Sequence, residues 1–200
     1  MKHRSYIVPV ALLLMLAVSA GQVSSGPVKI YLGLGPTIPA APDNLRSDYN
    51  TGLNVLTGLG YPVSPFTELI GRLELHAVSL DSNDRFGADI DFSGGGIDLL
   101  MLGADIRFST CREGVTARPF ALFGGGVSRL SQNSIFTELA FEQYASLIFE
   151  SQTRLYFNLV VGLDLKVAPN LTLFAMARYL NITQDTDNII LVPVTLGLRL

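Results

Sequence analysis

Charged side chains recur at alternate positions inside otherwise apolar stretches of this chain. They are Lys29, Glu68, Arg72, Glu74, Asp105, Arg107, Arg154, Asp164, Lys166, Arg178 and Arg199. Acids and guanidiniums held on one face can neutralise each other as a buried polar plug, and an excess of Arg can instead line a narrow ion path. Other chemistries are poorly served. His76 is the single histidine after residue 20, which excludes a multi-histidine metal site. A hydroxyl–imidazole–acid hydrolase would need a Ser beside it, yet Ser79 lies three residues on, across the strand. Asp81, Asn83, Asp84, Asp89 and Asp91 crowd one segment, but no Gly stands at the sixth position of a calcium loop and no Glu at its twelfth. The glycine triplets carry no phosphate-binding pattern. No catalytic, cofactor or metal residue is therefore expected.

The elements that hold these charges are strands. From Gln152 to Val167 the odd positions give Leu155, Phe157, Leu159, Val161, Leu163, Leu165 and Val167, while the even ones carry Arg154, Tyr156, Asn158, Asp164 and Lys166. A two-residue period puts these sets on opposite faces. Seven more segments alternate: 28–35, 50–61, 67–80, 95–108, 118–130, 171–182 and 189–200. In 118–130 the phase stays open, because Gly124-Gly125-Gly126 erases it. The connections alternate too. Residues 62–66, 109–117 and 168–170 make short or moderate turns; 36–49, 81–94, 131–151 and 183–188 are mostly longer and carry formal charges of −1, −3, −3 and −2. In an up-and-down barrel every second connection shares an end, so turns gather at one rim and acidic loops at the other. The expected fold is all-β: an eight-stranded antiparallel up-and-down transmembrane β-barrel.

Composition agrees. Residues 1–20 have a basic start (Lys2, Arg4), an apolar run from Ile7 to Val18 and the small residues Val18-Ser19-Ala20. That run is too short for a membrane span and reads as a cleaved secretory signal, leaving residues 21–200 as a single barrel domain. Hydrophobic residues make up 48% of the chain and charged ones 16%, greasy for a soluble domain. The acidic balance gives no reason to expect nucleic acid. The single cysteine, Cys111, sits in a polar turn and permits no internal disulfide.

Several stretches carry a resemblance: Gly58-Leu-Gly-Tyr-Pro-Val-Ser-Pro65, Leu102-Gly-Ala-Asp-Ile-Arg107, Arg118-Pro-Phe-Ala-Leu-Phe-Gly-Gly-Gly126, Leu173-Phe-Ala-Met-Ala-Arg-Tyr179 and Val192-Pro-Val-Thr-Leu-Gly-Leu-Arg-Leu200. Together they resemble the small outer-membrane β-barrel domains related to OmpA and OmpX. The family's usual terminal Phe is replaced by Leu200, and no peptidoglycan-binding domain is expected after it. The resemblance implies a bacterial outer-membrane location, contact with outer-membrane lipid, insertion by the barrel-assembly machinery, a monomeric state and a structural or adhesion-type role, with a possible extracellular ligand at the acidic loops. A small ion-conducting channel is the alternative. A soluble lipocalin-like barrel, with the apolar face inward, and a lipid-modifying enzyme come behind. The polar face is expected to fill the lumen with a charge network of Glu68, Arg72, Glu74, Asp105, Arg107, Arg154, Asp164, Lys166, Arg178 and Arg199. Within it, Glu68–Arg107 and Arg72–Asp105 should pair across neighbouring strands. A lumen of this kind should accept Asn158→Arg far better than the lipid face accepts Leu159→Arg.

Overall fold

The computed structural model describes residues 28–79, 92–93, 96–110, 116–132, 135–138, 144–147, 151–184 and 187–200. The expected signal segment, the acidic group from Asp81 to Asp91 and Cys111 lie outside these residues. Eleven strands are described: β1 (Lys29–Ala41), β2 (Gly52–Pro62), β3 (Thr67–Val78), β4 (Phe92–Ser93), β5 (Ile97–Ser109), β6 (Ala117–Gln132), β7 (Ile135–Glu138), β8 (Tyr144–Leu147), β9 (Gln152–Ala168), β10 (Leu171–Ile182) and β11 (Ile189–Arg199). A short helix, α1 (Asp43–Asp48), follows β1. Eight strands close a barrel in the order β1-β11-β10-β9-β6-β5-β3-β2, all neighbours antiparallel. The small strands β4, β7 and β8 form a separate sheet from loop segments.

Closure joins the two chain ends. β1 pairs with β11 from Tyr31 opposite Arg199 upward, and Ile30 and Leu200 exchange both backbone hydrogen bonds at 3.0 Å. Every ladder donor and acceptor along the wall then has a strand beside it, which a bilayer interior demands. The shortest barrel strands, β2 and β11, have 11 residues each, enough for a tilted strand to cross hydrocarbon.

The expected phases hold wherever they are definite. On β3, Glu68, Ile70, Arg72, Glu74, His76 and Val78 are buried while Leu69 and Leu75 are exposed. On β9, Leu155, Leu159 and Val161 are each more than half exposed, and Tyr156, Asn158 and Val160 are buried. Apolar side chains thus cover the outside. This inside-out arrangement is opposite to the lipocalin reading, which needs the apolar face inward; it suits hydrocarbon outside.

One expected boundary needs correction, and one phase left open is settled. β1 runs to Ala41, past the expected end at Gly35, through Pro36 and Pro39. Proline lacks a ladder donor and usually marks a strand's edge or a bulge; here the register with β11 shifts between Pro39 and Ala41. The open phase of 118–130 resolves to even residues inward: Arg118, Phe120, Leu122 and Ser128 are buried. Register runs unbroken through Gly124-Gly125-Gly126 against both neighbours, and a side chain at Gly124 or Gly126 would strike the β5 backbone.

The lumen is also less polar than expected. Towards the turn end, Tyr31, Leu56, Ile70, Phe120, Leu122, Val160, Phe174 and Met176 form one apolar cluster. Towards the loop end, Leu45 of α1 drops in among Ile97, Leu99, Met101, Leu180, Ile182, Ile189 and Leu191. Inward glycines make room for large partners. A side chain at Gly103 would collide with the Tyr156 hydroxyl, and one at Gly162 with the Phe120 ring.

Leu159→Arg should destabilise the barrel in bilayers by roughly 2–4 kcal/mol, the range for a cation at midplane depth. Asn158 is only 1% exposed and donates to Asp105 at 3.0 Å, so the packed lumen gives it no room for a guanidinium. Asn158→Arg is therefore not the mild control that a roomy lumen would make it. Reversible unfolding in vesicles should show both variants destabilised, with Leu159→Ala close to wild type. A large loss for Leu159→Ala would mean that this face packs on protein.

Candidate functional site

The buried charges divide into two networks at different heights. The upper one centres on Glu74, whose carboxylate is completely buried. The Arg178 guanidinium pairs with Glu74 Oε2, and Arg72 Nε lies 3.3 Å from the same oxygen. Arg72 Nη1 reaches Asp105 Oδ2 at 2.5 Å, while Arg72 Nη2 donates to the Tyr156 hydroxyl at 3.3 Å. His76 Nε2 lies 3.2 Å from Glu74 Oε1, and its Nδ1 is 2.8 Å from Thr37 Oγ1. The polar chain continues upward: Asn54 donates to Thr37 at 3.3 Å and to the Gly35 carbonyl at 2.8 Å, and Thr195 donates to Asn54 at 2.9 Å. Two guanidiniums, Arg72 and Arg178, here meet two carboxylates, Glu74 and Asp105.

The lower network centres on Asp164. Its Oδ2 receives Arg107 at 2.5 Å, Arg199 at 2.9 Å and Arg118 at 3.0 Å. Arg107 also donates to the Tyr31 hydroxyl at 3.0 Å, and that hydroxyl donates to Glu68 at 2.7 Å. Lys29 completes the group, 3.7 Å from Glu68. The Arg107 guanidinium lies 3.8 Å from the Phe120 ring centroid, a cation–π contact that offsets part of its desolvation.

The strand register explains the contacts between β3 and β5. Glu68 lies opposite Arg107 and Thr67 opposite Phe108, the alignment expected from a tight turn end. Arg72 faces Gly103, one diagonal step from Asp105, and the two bond. The Glu68–Arg107 link is indirect: Arg107 extends across the lumen to Asp164, and the Tyr31 hydroxyl bridges it to Glu68. Glu74 and Arg178 meet from opposite walls, which no neighbouring-strand argument anticipates.

Of the ten expected lumen charges, Lys166 is misplaced. It is exposed at the turn rim, where the β9–β10 register shifts by one between Leu171 and Thr172. Its backbone N–H bonds to Thr116 O at 2.8 Å, beyond the start of β6, so the strand has left the enclosed lumen and the ammonium stays in water. Arg154 is half-buried at the loop rim and donates to Gln152 at 3.1 Å, apart from both networks. Sequence reasoning misses Arg118. Its signal is present, since Arg118 and Ser128 share a parity and both are polar. It also misses Tyr31, Thr37, Asn54 and Thr195 as network members, because uncharged polar residues do not stand out on a mixed face.

The Thr37–His76–Glu74 relay has the residue types of a hydrolase but no access. All three are at most 2% exposed, and Ser79, the nearest hydroxyl in sequence, is exposed at the end of β3. Between the two networks lies a cavity of about 20 Å³, room for roughly one water, lined partly by Arg72, Asp105, Arg107 and Arg178.

An outward apolar belt, an inward ionic core and eight meandering strands define a small transmembrane β-barrel of the bacterial outer-membrane type. Solved structures share this fold. Neisserial surface protein A matches at 17% identity over 89% of this chain and 99% of its own, with a TM-score of 0.54. A major outer membrane protein from Thermus thermophilus matches at 13% identity over 87% and 99%, with a TM-score of 0.52. The outer membrane enzyme PagL aligns at 14% identity over 86% and 98%, with a TM-score of 0.44. No protein-family model matches the sequence, and no curated protein does.

Removing one partner of a buried pair strands the other charge and typically costs about 3–5 kcal/mol, whereas removing both is far milder. Arg72→Leu and Asp105→Leu should each be strongly destabilising, and the double variant should be more stable than either. A double-mutant cycle in bilayers reads this directly. Additive single costs would show that the 2.5 Å contact does not couple the two residues.

Proposed function

We propose that this protein is a resident of the bacterial outer membrane with a structural or interaction role, exposing its loops outside and conducting no ions. One observation carries the reading: side chains fill the lumen in alternating apolar and ionic layers. A conducting path needs continuous polar lining, and the apolar layers interrupt it above and below the upper network. The surface left for recognition is the loop end. There the sequence carries acidic residues in 36–49 and 183–188, and the acidic segment 81–94 lies between strands of the same rim. A cationic ligand suits that end. Catalysis finds no support in the buried relay. Insertion would rest on the barrel-assembly machinery, and the closed ring of strands, which leaves no edge to share, favours a monomer.

Membrane fractionation tests the location: the chain should sediment with the outer membrane and migrate faster on gels before boiling than after. Orientation follows from labelling. In a Cys111→Ser background, Ser47→Cys at the exposed α1 should react on intact cells with an impermeant maleimide, while Ser64→Cys in the β2–β3 turn should react only after the outer membrane is opened. The reverse pattern would invert the topology. Discrete conductance steps in planar bilayers from the purified barrel would overturn the closed lumen.

A further inference from the structure

We propose that the barrel wall carries a built opening point on β11 at Pro193–Val194, held shut from the lumen side by Asn54. Ile30 and Leu200 exchange both backbone hydrogen bonds, so the even-numbered residues of β1 make the exchanges with β11. Counting up from there, Pro36 falls opposite Val194 in such a pair, and proline has no N–H to give the Val194 carbonyl. The register breaks at that place: it runs from Tyr31 to Leu34, stops at Gly35 and Pro36, and resumes at Thr37. Pairs alternate along a strand, so the odd-numbered residues of β11 serve β10. Pro193 falls opposite Arg178 and has no N–H for its carbonyl; the β10–β11 register stops after Ala177 and resumes at Leu180. Both edges of β11 therefore lose a rung at adjacent residues. Among the described barrel ladders, the other irregularities lie at strand ends, and the remaining registers run through.

Proline is ordinarily confined to an edge strand or a bulge, and a closed barrel has no edge. The lumen side carries the compensation. Asn54 of β2 is fully buried. Its Nδ2 donates to the Gly35 carbonyl at 2.8 Å and to the Pro36 carbonyl at 3.0 Å, and its Oδ1 accepts from Thr195 Oγ1 of β11 at 2.9 Å. One side-chain amide thus ties β1 to β11 across the missing rung. The backbones stay pressed together there, since a side chain at Gly35 would strike the Val194 carbonyl. Without the tie, β11 is short of a rung on each edge, and 192–195 becomes the stretch of wall that parts first. The groups behind it are polar: Thr37, Thr195 and Arg178 are at most 1% exposed. Parting at this place gives the upper network a lateral way out, which the filled lumen denies it along the barrel axis.

The test is amide hydrogen exchange, followed by NMR on the intact barrel in uncharged detergent micelles. Val194 and Val161 both lie opposite Ala177 in their ladders, so they report from one level of the wall. Exchange at Val194 is expected to be at least about tenfold faster than at Val161. Asn54→Leu keeps the volume and removes the amide. It should speed exchange at Val192, Val194 and Thr195 by about tenfold again and leave Phe157 to Val161 unchanged. Thr195→Val removes only the β11 half of the tie and reads the same local effect if Asn54→Leu fails to fold. Pro193→Val restores the donor towards β10 and should slow exchange at Val194. Equal exchange at Val194 and Val161 in the unaltered barrel, no slowing by Pro193→Val, or acceleration of β9 and β11 alike by Asn54→Leu and Thr195→Val, would overturn the proposal.

Discussion

The governing constraint is the narrowness of an eight-stranded barrel. Its interior has room for side chains and very little water, so every inward polar group must be satisfied by another inward group. Alternation sends half of each strand into that space whether the residue is greasy or charged. The chain meets the constraint by layering. Guanidiniums and carboxylates share two levels, aromatic and aliphatic side chains fill the spaces around them, and glycines on nearby strands give Tyr156 and Phe120 their volume. Remove the charge balance and the packing fails with it, because Arg72, Arg107 and Arg178 also supply much of the bulk of the core.

This coupling explains what can be read from residues alone. Strand phase is plain where one face is apolar and the other charged, as in β3 and β9. The β3–β5 alignment follows from a turn-end count and puts Glu68 opposite Arg107. Reading fails where a face mixes its chemistry. Phe120 and Leu122 are as apolar as Phe123, so β6 conceals Arg118, a direct partner of Asp164. Contacts across the lumen, such as Glu74 with Arg178, depend on barrel curvature and on long side chains reaching between strands that are not neighbours. Lys166 keeps the correct parity and still leaves the lumen, since parity says nothing about where the enclosing wall stops.

The two mouths are built on different principles. At the loop end a helix too short to be stable alone is held by Leu45, which closes the lumen with apolar contact. At the turn end the lumen closes with charge. Apolar closure excludes water from the ionic network below it and so strengthens the pairing of Glu74 with its cations. Ionic closure keeps the other end open to exchange with solvent. The asymmetry matches the connections: the long ones can spare residues for a cap, while the turn at 62–66 is fully engaged in its own hydrogen bonds, Val63 and Ser64 both donating to Thr67 O.

The ionic layers also bear on which barrel forms. A slip of one residue between two strands turns every outward Leu inward and every inward Arg into hydrocarbon, so the apolar alternation already rejects odd slips. A slip of two preserves the faces, and alternation is blind to it. Charge is not. A two-residue slide of β5 against β3 that sets Met101 opposite Arg72, where Gly103 now stands, would take Asp105 out of reach and put a bulky side chain in the glycine's place. The clash would meet Tyr156 as well, whose hydroxyl packs against Gly103. The Arg72–Asp105 pair and the glycine beside it therefore discriminate among registers that hydrophobicity alone leaves equal. A buried ion pair adds little net stability over a well-packed apolar substitute; in this barrel its contribution lies in excluding the alternative registers.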